Sequence, residues 1–202
     1  MTIPETIRAI QVEIQKDNPH MSVDGKAGPQ TWGAIYRAIV PAKKNTPVPV
    51  VDGGAVDARS EKNIATLHPC VQPLARSLIL RAREKGWNFV ITSGLRTYAE
   101  QDALFNKRPQ VTKARGGYSN HNFGMAFDVT LFNGKTPVWD SPLYKSLAAL
   151  GEGLGLEWGG RWTSIVDEPH YQLRPQWAKG MSEGVMLTEL RRRKSNGRDF
   201  YA

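Results

Sequence analysis

The sequence predicts an α+β fold: a small antiparallel sheet with flanking helices, preceded by a small all-α unit. Two observations carry this. Segments of helical spacing are mixed with short alternating strands and show no βαβ repeat. A stretch of linker composition, residues 41–60, divides the chain: its prolines stiffen it and the pair Gly53-Gly54 loosens its end. At 202 residues the chain suits a small unit of about 40 residues followed by a domain of roughly 130.

In residues 1–40, Thr2 and Glu5 suit a capping box, and Ile3, Ile7, Ile10 and Ile14 follow at helical spacing. Asn18-Pro19 ends that helix. A turn-rich loop, Val23 to Thr31, leads to a second helix opened by Gly28-Pro29 and carrying Trp32, Ile35, Tyr36 and Ile39. The second domain, residues 61–178, opens with a helix through Val71, Leu74, Ala75, Leu78, Ile79 and Ala82, stopped by Gly86. Trp87 to Thr92 reads as a strand and Tyr98 to Asn106 as a helix. Residues 107–120 form a polar, basic loop, and Gly124 to Leu131 alternates as a strand. Ser141-Pro142 starts a helix with Leu143, Leu147, Leu150 and Leu154 inward, Leu156 to Trp162 makes a short strand and turn, and His170 to Leu173 a last strand. Residues 179–202 form a basic tail with a short helix ending in Arg191-Arg192-Arg193-Lys194. Such a run reads as a solvated end, with contact to an anionic envelope or to nucleic acid as the alternative.

Composition excludes several classes. No apolar run approaches the roughly 20 residues of a membrane span, and a hydrophobic content of 40% supplies a core. The opening Met1-Thr2-Ile3-Pro4-Glu5 lacks a basic region followed by an apolar core, so no Sec-type signal is expected. The single cysteine, Cys70, excludes an intrachain disulfide and a thiolate metal cluster, and reads as a packing residue. A net charge of +8 predicts attraction to polyanions. Charge alone does not separate nucleic acid from anionic cell wall, but no nucleic-acid motif is present and none is expected as a partner.

The chemistry concentrates in two stretches, Ser119 to Asp128 and Asp167 to Gln172. On a strand, residues two apart share a face, so Gly124, Ala126 and Asp128 point together, with His121 entering from the loop before them. His170 on another strand completes a set of two imidazoles and one carboxylate. Three protein ligands leave a tetrahedral zinc an open position, the arrangement of a catalytic site. The spacing is no generic zinc signature, and a single histidine is more often a hydrogen-bonded core or surface residue than a ligand. His20 and His68 lack acidic partners at suggestive spacing.

The pattern Ser-x-His-x-x-Gly-x-Ala-x-Asp at 119, 121, 124, 126 and 128 resembles the signature of the zinc D-Ala-D-Ala metallopeptidases. That family includes the D,D-dipeptidases of vancomycin resistance and the L-alanyl-D-glutamate endopeptidases of bacteriophages and bacilli, and shares its fold with the hedgehog signalling domain. Three further blocks match in order: Ser93-Gly94-Leu95-Arg96-Thr97, Trp158-Gly159-Gly160, and Asp167-x-x-His170. The resemblance spans residues 60–178. It implies one zinc ion bound by His121, Asp128 and His170, Asp167 as the catalytic base, and Arg96 steadying the substrate carbonyl or its oxyanion. Ser119 matches a substrate-side position, and Trp158 belongs to a block expected to bind substrate. Glu168 is a competing carboxylate, offset by one from the family spacing.

The Trp158 to Trp162 turn and the Asp-x-Pro-His-Tyr-Gln form look more like the L-alanyl-D-glutamate endopeptidases than the carboxypeptidases. The implied reaction is hydrolysis of the peptidoglycan stem at L-Ala–D-Glu. Removal of terminal D-Ala is the alternative within enzymes, and a non-catalytic wall-binding protein the alternative outside them. Upstream, Asp24, Gly25, Gly28 and Thr31 match the Asp-Gly-x-x-Gly-x-x-Thr loop of a small peptidoglycan-binding domain, over about forty residues and shorter than the usual module. The combination is similar to a phage endolysin. It implies a monomer made in the cytoplasm and released by another protein to reach the wall.

Overall fold

The computed structural model describes residues 2–16, 23–26, 55–109, 111–163 and 165–201. The chain divides into two compact units, Met1–Pro47 and Val48–Ala202. No helix among the described residues is long and apolar enough to cross a membrane.

In the first unit, helix α1 (Ile3–Gln15) starts where Thr2 and Glu5 predict. The Thr2 backbone N–H donates to Glu5 Oε2 at 2.7 Å, satisfying one orphan donor of the first turn. Gln11 is buried although Ile10 beside it is exposed. Its side chain holds the following loop at both ends of the amide: Nε2 donates to Asp24 Oδ1 (2.9 Å) and Lys26 O (3.0 Å), and Oε1 accepts from Gly25 N (2.8 Å). Gly25 has φ +76°, and a Cβ there would meet Pro4 O at 3.2 Å, so a glycine suits the turn twice over. Gly28, Thr31 and the expected second helix lie outside the described residues.

The second unit begins inside the stretch read as linker. Helix α2 (Ala58–Ile64) is capped by Asp57, whose side chain accepts from Ser60 N, and it buries Ser60 and Ile64. Helix α3 (Gln72–Glu84) turns Ala75, Leu78, Ile79 and Ala82 inward, and Gly86 follows it with φ +74°. Strand β1 (Phe89–Ser93) is followed by α4 (Tyr98–Asn106), which carries a full capping box between Thr97 and Glu100. Next come β2 (Ala126–Asn133), β3 (Thr136–Val138), α5 (Leu143–Gly153), β4 (Glu157–Trp158) and β5 (His170–Gln172). The chain closes with α6 (Glu183–Ser195).

All strand pairs are antiparallel, in the order β1-β2-β5-β4, with β3 pairing β2. Alternation along the strands splits the sheet into two faces. Phe89 and Ile91 of β1, Phe127, Val129 and Leu131 of β2, and Tyr171 of β5 are buried in the core with Leu78, Tyr144 and Leu147 of the helices. Phe127 and Tyr171 are register partners whose rings stack at 5.8 Å. The residues between them, Asp128, His170 and Gln172, take the other face.

Two expectations are corrected and one strand is added. Strand β3 was not foreseen, because Thr136-Pro137-Val138 is too short and contains a proline; Pro137 sits on the outer strand, where a missing N–H is tolerated. Gly124 does not lie on β2. It ends a 3₁₀ turn, Asn120–Phe123, with φ +65°, and a Cβ would approach His68 N to 2.8 Å. The basic tail is only partly a solvated end: Arg192 and Lys194 are exposed, but α6 buries Met186, Leu187 and Leu190 in the core of the second unit. Its cations also engage that unit. Arg191 donates to Gly117 O at 2.9 Å and lies 4.2 Å over the Tyr118 ring, Arg193 lies over Trp177, and Lys194 over Tyr98.

Candidate metal centre

Register builds the site. Asp128 on β2 stands directly opposite His170 on β5 and opposite Ser93 at the end of β1. The 3₁₀ turn before β2, capped by the Ser119 side chain on His121 N, swings His121 back over the same face. Left-handed Gly124 makes that reversal. His121, Asp128 and His170 form the one group of potential metal ligands found among the described residues.

Their donor atoms make a nearly equilateral triangle. His121 Nε2 lies 3.2 Å from Asp128 Oδ1 and 3.3 Å from His170 Nδ1, and His170 Nδ1 lies 3.2 Å from Asp128 Oδ1. Ligand atoms about 2.0–2.1 Å from a tetrahedral zinc stand roughly 3.3–3.4 Å apart. The triangle therefore has the size zinc requires. Both imidazoles are buried and each has its far nitrogen engaged: His121 Nδ1 with Gly94 O at 2.8 Å, His170 Nε2 with Gln172 Oε1 at 3.0 Å. Donation from those far nitrogens leaves the lone pairs of His121 Nε2 and His170 Nδ1 facing the centre of the triangle.

At His121 and Asp128 the electrostatics favour the ligand form, whereas at His170 a metal must displace a proton. Burial holds His121 below the ordinary imidazole range, against the opposing pull of Asp128. Burial also disfavours the charged form of His170, but the hydrogen bond and charge of Asp128 outweigh it, so His170 is raised. For Asp128, burial opposes ionisation and the two imidazoles more than reverse it, holding the carboxyl well below its usual range. The second Asp128 oxygen takes a charge-assisted bond from Arg96 Nη2, and Arg96 Nε is anchored on Ser93 Oγ at 3.0 Å. Arg96 thus grips a potential metal ligand, a contact that sequence reasoning, which aimed it at the substrate, did not anticipate.

The triangle opens into a cleft of about 990 Å³. Arg96, Ser119, His121, Asp128, Asp167 and His170 all line it. The Asp167 carboxylate has no hydrogen bond or ion pair among the described residues; its backbone is fixed instead, with Asp167 N donating to Gly159 O at 3.1 Å and His170 N to Asp167 O at 3.2 Å. Burial first, and the Asp128 charge after it, push the Asp167 carboxyl above its ordinary value, against the opposing cations. Glu168 does not line the cleft. Its charge is felt by Tyr144 and Tyr171 on the opposite, core side of the sheet.

Trp158 does not line the cleft either. It is buried, and its indole N–H donates to Glu168 O at 2.7 Å, pinning the turn that presents Asp167. Its ring also covers Gly160, where a Cβ would come within 2.2 Å of it. The tryptophans in the cleft are Trp162, whose ring lies 4.9 Å from that of His170, and Trp139, which is exposed. Sequence reasoning passed over both, and also Gln172, Gln101 and Asn122. Gln101 Nε2 donates to Ala114 O (2.8 Å) and Asn122 Nδ2 to Arg96 O (2.9 Å), mooring the loop and the arginine beside the ligands.

A buried His-Asp-His triangle beneath a cleft, with an unengaged carboxylate at its edge, is the centre of a mononuclear metallohydrolase. The chain belongs to the metallopeptidase family whose model is described as D-alanyl-D-alanine carboxypeptidase, which matches residues 112–173. It is 36% identical over 124 residues to the peptidoglycan L-alanyl-D-glutamate endopeptidase CwlK of Bacillus subtilis (strain 168), covering 54% of this chain and 74% of that protein. It is 33% identical over 118 residues to the L-alanyl-D-glutamate peptidase of Listeria phage A118, covering 57% of this chain and 41% of the phage protein, so it spans less than half of that relative. Among solved structures it is similar to the L-Ala D-Glu endopeptidase ChiX of Serratia marcescens, with TM-score 0.49 and 29% identity, over 59% of this chain and 89% of that one.

Proposed function

We propose that this protein is a zinc endopeptidase that cuts the stem peptide of peptidoglycan between L-Ala and D-Glu. The observation that carries the metal chemistry is the triangle of His121 Nε2, Asp128 Oδ1 and His170 Nδ1 with sides of 3.2–3.3 Å. The bond assignment rests on relatives whose names state that specificity. The zinc ligands are His121, Asp128 and His170. Bound there, zinc would supply Lewis acidity, acidifying a water and polarising the scissile carbonyl.

Asp167 is the proton carrier. Its carboxylate is unengaged and on the cleft wall, and its raised pKa makes it a better base than an ordinary aspartate. It takes the proton from the attacking water and returns it to the leaving amine. Arg96 holds Asp128 in its ligand geometry and places positive charge beside the developing oxyanion. Ser119 fixes His121 through its backbone and stands at the substrate side of the cleft. Trp162 and Trp139 offer apolar walls for the stem peptide.

The first unit is a wall-binding module built on Asp24, Gly25, Gly28 and Thr31, and tethering by it raises the effective concentration of the peptidase at an insoluble substrate. The protein acts on the wall as a phage-type endolysin, a reading supported by its phage relative. The family model's own description favours a second reading, a D-Ala-D-Ala carboxypeptidase. Incubation with purified sacculi, with and without a chelator, followed by mass spectrometry of the products, separates the two. New N-terminal D-Glu supports the endopeptidase and free D-Ala the carboxypeptidase. Absence of any chelator-sensitive product would overturn both.

A further inference from the structure

Behind His170 lies a closed ring of hydrogen bonds that reaches two carboxylates distant in sequence. His170 Nε2 meets Gln172 Oε1 at 3.0 Å, and the same oxygen accepts from Asn120 Nδ2 at 2.7 Å. Gln172 Nε2 donates to Glu157 Oε2 at 2.8 Å. Asn120 Nδ2 also donates to Glu183 Oε1, on the first turn of α6. Arg174 closes the ring, with Nη2 on Glu183 Oε2 at 2.8 Å and on Glu157 Oε2 at 3.2 Å. Gln172 and Asn120 are buried, so neither amide can exchange its partners for water.

Direction in this ring follows from what each group can do. An ionised carboxylate only accepts. Glu157 therefore obliges Gln172 to present its NH₂ to β4 and its carbonyl oxygen to His170. Glu183 likewise obliges Asn120 to present its NH₂, leaving Asn120 Oδ1 buried without a partner among the described residues. With two NH₂ groups so oriented, Gln172 Oε1 is an acceptor only, and His170 Nε2 must carry the proton. In the neutral imidazole that binds a metal, the lone pair then falls on Nδ1, the atom in the ligand triangle.

We infer that Glu157 and Glu183 set the tautomer of His170 through Gln172 and Asn120, which makes Gln172 a positioning residue of the metal site. Helix α6 contributes one of the two anchoring carboxylates and so belongs to the centre. The inference rests on the proposed zinc site but not on which bond is cut. Outer-shell partners of a ligating histidine are commonly worth 10–100-fold in metal affinity.

The test measures zinc affinity of the full chain by competition with a chromogenic chelator, together with thermal melting of the metal-free protein. Gln172→Leu should weaken zinc binding 10–100-fold while the metal-free protein still melts cooperatively. The exchange Gln172→Glu with Glu157→Gln reverses the bond between those two side chains but keeps an acceptor facing His170 Nε2 and Asn120 Nδ2 and leaves Arg174 on Oε1 of residue 157 and on Glu183, and should restore affinity to within about threefold of the parent, against that 10–100-fold loss. Glu183→Gln, which frees Asn120 to turn over, should fall between and serves as the second variant if Gln172→Leu does not fold. Unchanged affinity in Gln172→Leu, or in Glu183→Gln where that one is used, would overturn the inference, as would a failed rescue in a folded double variant. A parent protein that binds no zinc would overturn the metal reading itself, an outcome distinguishable from the others.

Discussion

Asp128 and His170 are direct register partners on β2 and β5, and their side chains meet at 3.2 Å on the cleft face of the sheet. A one-residue slip of either strand would send that strand's member of the pair to the core face. Stacked Phe127 and Tyr171, the next register pair, resist that slip from the other side. The same backbone pairing thus specifies core and metal site together.

The ligand assignment predicts loss of metal when the triangle is broken. His121→Ala and Asp128→Asn should each abolish stoichiometric zinc, read by elemental analysis of dialysed protein. Removing the Asp128 charge also leaves Arg96 without its anionic partner in a part-buried site. Asp128→Asn should therefore lower the stability of the metal-free protein as well, whereas His121→Ala should lower it less.

Asp167→Ala should retain zinc and lose turnover by roughly 10²–10⁴-fold, the usual worth of a positioned proton carrier. The raised pKa of Asp167 gives two signs to check. Activity should fall as pH drops through that pKa, because the base becomes protonated, and this acid limb should be absent from the variant's residual rate. Stability runs the other way. A carboxyl whose folded pKa is raised destabilises the fold above that pKa and not below the unfolded value. Asp167→Asn should therefore raise the melting temperature of the metal-free protein at neutral pH and leave it unchanged at strongly acidic pH.

The grouping of His121, Asp128 and His170 was legible through the family resemblance carried by Ser119-x-His121 and Asp167-x-x-His170, since their spacing alone is no generic zinc signature. The helices at 72–84, 98–106 and 143–153 were legible for a different reason: each carries its own cap, inward stripe or glycine stop. What was not legible depends on long-range contact. Nothing local shows that Arg96 would turn onto Asp128, 32 residues away, or that Trp158 would bury itself while Trp162 faced the cleft. The charge run at 191–194 looked solvated because its aromatic and carbonyl partners, Tyr118, Tyr98 and Gly117, lie more than seventy residues upstream.

Gly124→Ala tests the reversal that brings His121 over the sheet. The new side chain must accept φ +65° and a Cβ placed 2.8 Å from the backbone nitrogen of His68. A strained left-handed residue costs of order 1–3 kcal/mol, and the His68 N–H to Gly124 O bond of 3.0 Å would be disturbed with it. Chemical denaturation should show that loss, and zinc affinity should fall because the turn carrying His121 can relax only by moving the ligand.

In the first unit, Gln11→Leu removes three hydrogen bonds that hold the Asp24-Gly25-Lys26 loop. If that loop presents the wall-binding residues, retention of the full-length variant on purified sacculi should drop while its zinc content and its rate on a soluble stem peptide stay unchanged. Equal retention would remove the loop from the wall-binding assignment.

Deletion of residues 183–202 separates the two views of the C-terminus most sharply. A solvated basic tail would leave a folded peptidase with weaker attraction to anionic surfaces. The structure predicts collapse instead. Met186, Leu187 and Leu190 are buried, and losing three such side chains forfeits about 1.5–3 kcal/mol each. That is comparable with the roughly 5–15 kcal/mol that holds a whole domain together. The deletion also strips Glu183 from Asn120 and Arg174, exposing the back of the His170 site. Circular dichroism of the truncated protein should show loss of a cooperative melt, and Leu190→Ala alone should lower stability by about 2–5 kcal/mol. A truncated protein that melts like the parent and binds zinc as tightly would return α6 to the status of an appendage.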